Sequence, residues 1–261
     1  MLSPAEILEK WIATGKAKAN NSVPRLFVLA VFAGIFIAFA GVGATIASAS
    51  IETASVAKRV GACVFPGGLA MVILAGSELF TGNTLIIIPL AHREVSVGGL
   101  LKNWAVVFIG NFAGSILIAL AVVYAGTFHL FNDMVARAAV STAVAKVTLS
   151  FGDAFIRGAL CNFLVCIAVW IATGAQSAGG KLAGLFFPIM IFVLSGYEHS
   201  IANMYYIPAG LFAKNVYSVA GEALTWSAFF VKNLLPVTLG NIVGGGVIVG
   251  LGYTLAYKKK A

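Results

Sequence analysis

Residues 26–51 form a run of 26 without one Asp, Glu, Lys or Arg. A helix rising 1.5 Å per residue needs about 20 apolar residues to cross the hydrocarbon of a bilayer. A stretch of this length and purity is a transmembrane helix, because in lipid the backbone must satisfy its own hydrogen bonds. Five more apolar runs follow, at 60–91, 104–126, 158–177, 182–213 and 234–257, and those at 60–91 and 182–213 are too long for one clean span. The chain is therefore expected to be an all-α integral membrane protein with six transmembrane helices. Composition agrees: of 261 residues, 60% are hydrophobic and 10% charged, against about 25% charged in soluble domains. A soluble enzyme, a disordered chain, a collagen and a disulfide scaffold are excluded on these grounds.

The basic excess, 17 Lys and Arg against 9 Asp and Glu, is spread in ones and twos between apolar runs. A nucleic-acid-binding face gathers its cations on one surface, so no nucleic acid is expected as a partner. Residues 1–22 read as an N-terminal amphipathic surface helix, with Ile7, Leu8, Trp11 and Ile12 at helical spacing. Ser3, Pro4 and Glu6 carry the signature of a capping box at its start. A cleavable signal would need a basic start and an apolar middle. With the N-terminus inside, the inner segments hold Lys10, Lys16, Lys18, Arg25, Arg93, Lys102, Lys181 and the lysines Lys258, Lys259 and Lys260. The outer segments hold Lys58, Arg59, Arg137, Lys146, Arg157, Lys214 and Lys232. Ten against seven favours both termini on the cytoplasmic side of an inner or plasma membrane.

The six-span region, 23–261, repeats itself, with halves of about 23–126 and 155–257. Lys102-Asn103 is followed by Gly110-Asn111 and Gly114, and Lys232-Asn233 by Gly240-Asn241 and Gly244. The two interrupted runs match as well: Gly76-Ser77-Glu78 with Asn83, and Gly196-Tyr197-Glu198 with Asn203. Each has one proline upstream (Pro66, Pro188) and one downstream (Pro89, Pro208). Three spans per unit is odd, so the halves insert with opposite topology, an inverted 3+3 repeat with two broken helices meeting near mid-membrane. That arrangement belongs to transporters and channels.

Within the breaks, Glu78 and Glu198 are carboxylates at membrane depth, where a charge costs about 2.5–3.5 kcal/mol on insertion scales. Together with Asn83 and Asn203 they are read as structural, accepting and giving bonds that hold the break in shape. His199 is the one histidine placed inside the membrane, since His92 and His129 fall in connecting loops. Thr81 lies in the other break, three residues after Glu78, so the two offer one polar spot at the pore centre. The small-residue stripes of the third and sixth spans are assigned to close helix packing. Cys63, Cys161 and Cys166 lie in apolar stretches at no metal-ligand spacing, so no metal and no cofactor is expected. There is no H-E-x-x-H, no carboxylate cluster and no nucleophile with a base, so the chain is not read as an enzyme.

At these motifs the sequence resembles the formate/nitrite transporter family, which includes the hydrosulfide channels. The resemblance rests on 76–83 (Gly-Ser-Glu-Leu-Phe-Thr-Gly-Asn), 157–162 (Arg-Gly-Ala-Leu-Cys-Asn), 196–204 (Gly-Tyr-Glu-His-Ser-Ile-Ala-Asn-Met) and 236–241 (Pro-Val-Thr-Leu-Gly-Asn), and extends over essentially the whole chain. It implies an aquaporin-like fold in a homopentamer with one pore per protomer. It also implies a central histidine at His199 with Thr81 as partner, a vestibule lysine at Lys146 and a pore asparagine at Asn162. Apolar constrictions fall on Phe65, Leu69 and Phe192, and on Leu79, Phe80 and Val165. The expected function is passage of small monovalent anions, with hydrosulfide first and formate or nitrite, by channel or proton-coupled transport, as the alternative. A water or glycerol channel shares the fold, but the Asn-Pro-Ala pair is missing from both breaks.

Overall fold

The computed structural model describes residues 1–257; Lys258, Lys259 and Lys260 lie outside the described residues. The described chain is helical throughout: α1 (Pro4–Asn20), α2 (Val23–Ala49), α3 (Ala54–Ala75), α4 (Phe80–Ala91), α5 (Val97–Tyr124), α6 (Leu130–Val147), α7 (Phe151–Gly174), α8 (Ala178–Leu194), α9 (Ser200–Val216) and α10 (Ala228–Tyr257). Five of them, α2, α3, α5, α7 and α10, are long and apolar enough to cross a membrane, and α4 and α8 are shorter apolar helices. Residues 60–91 and 182–213, each read as one interrupted span, fold as two helices apiece, α3 with α4 and α8 with α9.

Two pairs of long helices pack with almost no side chain between them. A Cβ on Gly110 would meet Ala30, one on Gly114 would run into the carbonyl of Val31, and one on Gly34 into that of Asn111, so α2 and α5 touch backbone to backbone. On α7 and α10 the same job falls to Gly240 and Gly244, set against the carbonyls of Phe155 and Ala159, and to Gly158 against that of Val237. In lipid, where helices gain little hydrophobic energy by meeting, such close approach supplies the packing attraction.

The capping box of α1 is formed as expected. The Ser3 N–H donates to Glu6 Oε2 at 2.7 Å and the Glu6 N–H returns a bond to Ser3 Oγ. The Ser3 hydroxyl, also 2.7 Å from Glu6 Oε2, and then the Ser3 N–H pull the Glu6 carboxyl below the usual range. The apolar side of α1 is spent on protein: Ile7, Leu8 and Trp11 are buried with Leu85, Ile88, Trp170 and Val249. Lys16 reaches Glu94 in the α4–α5 connection at 2.7 Å. Helix α6, between the two expected halves, starts from a left-handed turn at Phe131, Asn132 and Asp133. It buries Val135, Ala136, Ala139, Val140, Ala143 and Val147 in the main core.

Candidate functional site

The site grows out of the two breaks. Helix α3 stops at Gly76, whose φ of +79° only glycine adopts cheaply, and α8 is followed by Gly196 with φ +70°. The next turn closes in the same way, with the Ser77 N–H on Val72 O and the Tyr197 N–H on Phe192 O, both at 3.0 Å. Leu79 and His199 are then extended, and α4 and α9 begin one residue later.

An interrupted helix exposes backbone groups that lipid cannot satisfy, and side chains from the neighbouring long helices do so here. Asn111 Oδ1 accepts the Phe80 N–H at 2.9 Å, while its Nδ2 donates to Ala30 O (2.7 Å) and Glu78 O (2.9 Å). Asn241 Oδ1 accepts the Ser200 N–H at 2.9 Å, and its Nδ2 donates to Gly158 O (2.8 Å) and Glu198 O (3.0 Å). The Glu78 N–H reaches Leu29 O and the Glu198 N–H reaches Arg157 O, each at 3.2 Å. One asparagine thus joins the break to the opposite long helix and caps the new helix.

Each carboxylate is engaged by a lysine and an asparagine. Glu78 Oε2 accepts from Asn83 at 2.6 Å and pairs with Lys18 at 2.8 Å. Glu198 accepts from Asn203 at 2.7 Å on Oε2 and pairs with Lys146 at 2.8 Å through Oε1. Asn83 and Asn203 also donate to Asn103 and Asn233, whose own amides donate to the backbone carbonyls of Lys18 and Lys146. A buried carboxylate with a cation and amide donors is a compensated charge. Lys146, expected as a vestibule lysine, does line a large cavity, but its ammonium is committed to Glu198. Lys18 was counted only as an inner cation. It precedes Lys146 by 128 residues, within the 120–130 spacing of the motifs, and that spacing is the signal for its place.

Between the breaks, Thr81 and His199 meet. The Ala202 N–H donates to His199 Nδ1 at 3.1 Å, so this nitrogen carries no proton. The neutral ring therefore holds its proton on Nε2, 3.0 Å from Thr81 Oγ1. With Thr81 accepting that bond, its own hydroxyl proton is left to donate.

Above His199 opens a cavity of about 660 Å³, lined by Thr45, Ser48, Lys58, Lys146, Arg157 and Glu198 among others. Phe65, Phe192 and His199 form its floor and also line the next void, which is only about 10 Å³ and is enclosed by Ile37, Leu69, Leu79, Val165 and Ile189. That is about the space of one water. The Phe65 and Phe192 rings meet edge to face at 5.7 Å, and Phe192 stacks on His199 at 5.8 Å.

Five of the six expected constriction residues, Phe65, Leu69, Phe192, Leu79 and Val165, therefore share one neck. Phe80 does not line it: its ring packs on Trp104 and Phe108 of α5. Asn162 lines neither void. Its amide donates to Thr81 O, Thr84 Oγ1 and Asn241 O, so it clamps the two breaks from behind. Among the described residues no group of three or more His, Cys, Asp or Glu is placed to hold a metal.

Broken helices, a narrow apolar neck and a polar pair at its base define a membrane transport protein. The formate/nitrite transporter family model matches residues 5–255, and the chain belongs to the formate/nitrite transporter family, a family of multi-pass membrane transporters. It is 37% identical to a probable formate transporter of Methanothermobacter thermautotrophicus, over 99% of this chain and 98% of that protein. It is 35% identical to the formate channel FocA of Escherichia coli (strain K12), over 100% and 96%. Among solved structures, a pentameric formate channel with formate bound matches with a TM-score of 0.82 and 37% identity, over 91% of this chain and 98% of that one. An FNT family ion channel matches with a TM-score of 0.86 and 31% identity, over 96% and 98%.

Proposed function

We propose that the protein passes small monovalent anions through this neck, with formate as the first substrate and nitrite beside it. The observation that carries the reading is the neutral His199–Thr81 pair under an apolar neck whose void has room for about one water. A bare anion entering such a space loses its hydration with little in return. The same low dielectric raises the anion's affinity for a proton, so the species that crosses is the neutral acid. His199 Nδ1 is occupied by a backbone N–H, so the ring serves as a hydrogen-bond donor through Nε2 and the proton comes from vestibule water. Thr81 supplies the second donor.

Formate stands ahead of hydrosulfide because the relatives and the solved neighbour carry formate in their names. Hydrosulfide fits the same chemistry, and no residue of the site selects it. We infer a homopentamer in the cell membrane with both termini cytoplasmic, by likeness to the pentameric neighbour and from the cation placement. α3 with α4, and α8 with α9, each complete one crossing, which makes six.

The paired hydrogen-bond sets support an inverted repeat wider than the spans alone. Lys18 and Lys146, from α1 and α6, close corresponding bonds, so each half comprises a lysine-bearing helix, a long helix, a broken pair and a second long helix. The roles of Phe65, Leu69, Leu79, Val165 and Phe192 as the constriction belong to the same proposal, as do those of Thr81 and His199 as the polar centre.

Proteoliposome uptake of formate, nitrite, hydrosulfide, chloride and glycerol tests the reading. Formate flux is expected to rise as pH falls from 8 to 5, and His199→Phe to lower flux throughout while leaving that rise in place. A wild-type flux independent of pH across this range overturns the mechanism.

A further inference from the structure

Lys146 is the obvious lysine of the large cavity, yet its charge is matched by Glu198 at 2.8 Å. Of the residues lining that cavity, three are cationic, Lys58, Lys146 and Arg157, and one is acidic, Glu198. Both Glu198 oxygens are taken, Oε1 by Lys146 and Oε2 by Asn203 and Asn233. The side chains of Lys58 and Arg157 make no ion pair or hydrogen bond among the described residues. Lys58 stands one turn into α3, with its ammonium 3.9 Å from where a Cβ on Gly196 would lie. It hangs directly over the second break, whose glycine leaves that space open. Arg157 sits on α7, beside the carbonyl that anchors Glu198. Two uncompensated positive charges thus face a recess whose floor is the His199 neck.

We propose that Lys58 and Arg157 form an anion-gathering site in this vestibule, which takes small monocarboxylates such as formate from solution ahead of the neck. The inference rests on the anion-channel reading above and moves the recruiting charge away from Lys146. Unpaired cations in a recess with low-dielectric walls concentrate anions and raise encounter rates by about 10–1,000-fold at low salt. A paired lysine has a short-ranged dipolar field and does so far less. The cavity is far larger than the neck, so anions too large to pass should also lodge there and compete.

Initial formate uptake by wild type, Lys58→Gln, Arg157→Gln and the double variant tests this in vesicles of known orientation. At an ionic strength of about 0.01 M, where charges act over about 30 Å, the double variant should need about 10-fold more formate for half-saturation. Its maximal rate should be retained, and the effect should appear from one membrane face only. Near 1 M, where the range falls to about 3 Å, the two proteins should converge. Lys58→Arg should behave as wild type, and sulfate should inhibit wild type more than the double variant. Equal half-saturation of wild type and double variant at low ionic strength overturns the site while leaving the channel reading intact. A wild type that passes no formate overturns the channel reading itself, and this inference with it.

Discussion

The two breaks share a skeleton and differ in what they hold. Each has a left-handed glycine, a buried glutamate paired with a lysine, an asparagine clasping that glutamate and a second asparagine capping the new helix. On that frame the first break carries a hydroxyl at Thr81 and the second an imidazole at His199. The second also looks into an open cavity, whereas α1 packs over the helices that follow the first. The lesson is that the carboxylates and amides are repeated because any broken helix in lipid needs them, while the positions between them are free to diverge. Both buried carboxylates are matched by a lysine, whereas the Thr81 and His199 side chains hydrogen-bond, among the described residues, only to each other and to backbone.

That equivalence can be broken most severely at the carboxylates. Glu78→Ala and Glu198→Ala each strand a lysine and an asparagine amide, and each should cost about 3–5 kcal/mol, read as loss of folded protein on thermal melting in detergent. If one break tolerates the change, the two are not equivalent. Asn111→Ala and Asn241→Ala should come next, at about 1–3 kcal/mol for buried groups left unsatisfied, and should match each other in the same melts. Thr81→Val keeps shape and removes the bond to His199, so stability should fall by about 1 kcal/mol or less. Formate flux should fall severalfold, which separates the pore pair from the scaffold. The smallest effect is expected at Glu94→Gln on the exposed tether to Lys16. The Lys16 ammonium holds the Glu94 carboxyl below its usual range. The contact therefore contributes at neutral pH and is lost as pH falls through that lowered value. The variant should melt slightly below wild type at pH 7 and with it at pH 3, the gap staying small because water screens the exposed pair.

Much of this was legible in the sequence because lipid forces the issue. Span positions follow from charge-free runs, and the breaks announce themselves as glycine, glutamate and asparagine where apolar residues belong. Of the six expected constriction residues, Phe65, Leu69, Leu79, Val165 and Phe192 line one small void. Phe80 packs on α5 instead, since adjacent residues at a helix start point in different directions and a motif carries no direction. Asn162 was expected in the pore for the same reason, and it lies behind the breaks instead. Helix α6 escaped notice because it is short, moderately apolar and interrupted at its start by three left-handed residues. Lys18 escaped because its partner is 60 residues away and a charge near a terminus reads as a topology marker. The spacing of the repeat, carried back beyond the first span, would have found both.

Asn162 stands on the second half of the chain, yet two of its three hydrogen bonds go to Thr81 and Thr84 of the first. The pore centre likewise takes Thr81 from one half and His199 from the other. A chain severed in the connection at 125–129 would yield two pieces, each bracing its own break and neither able to complete the pore centre. Expressed alone, each should be cleared by proteolysis; expressed together, they should reassemble a working pore. The ancestor of such a repeat, if it was a single half, had to work as a pair from the outset.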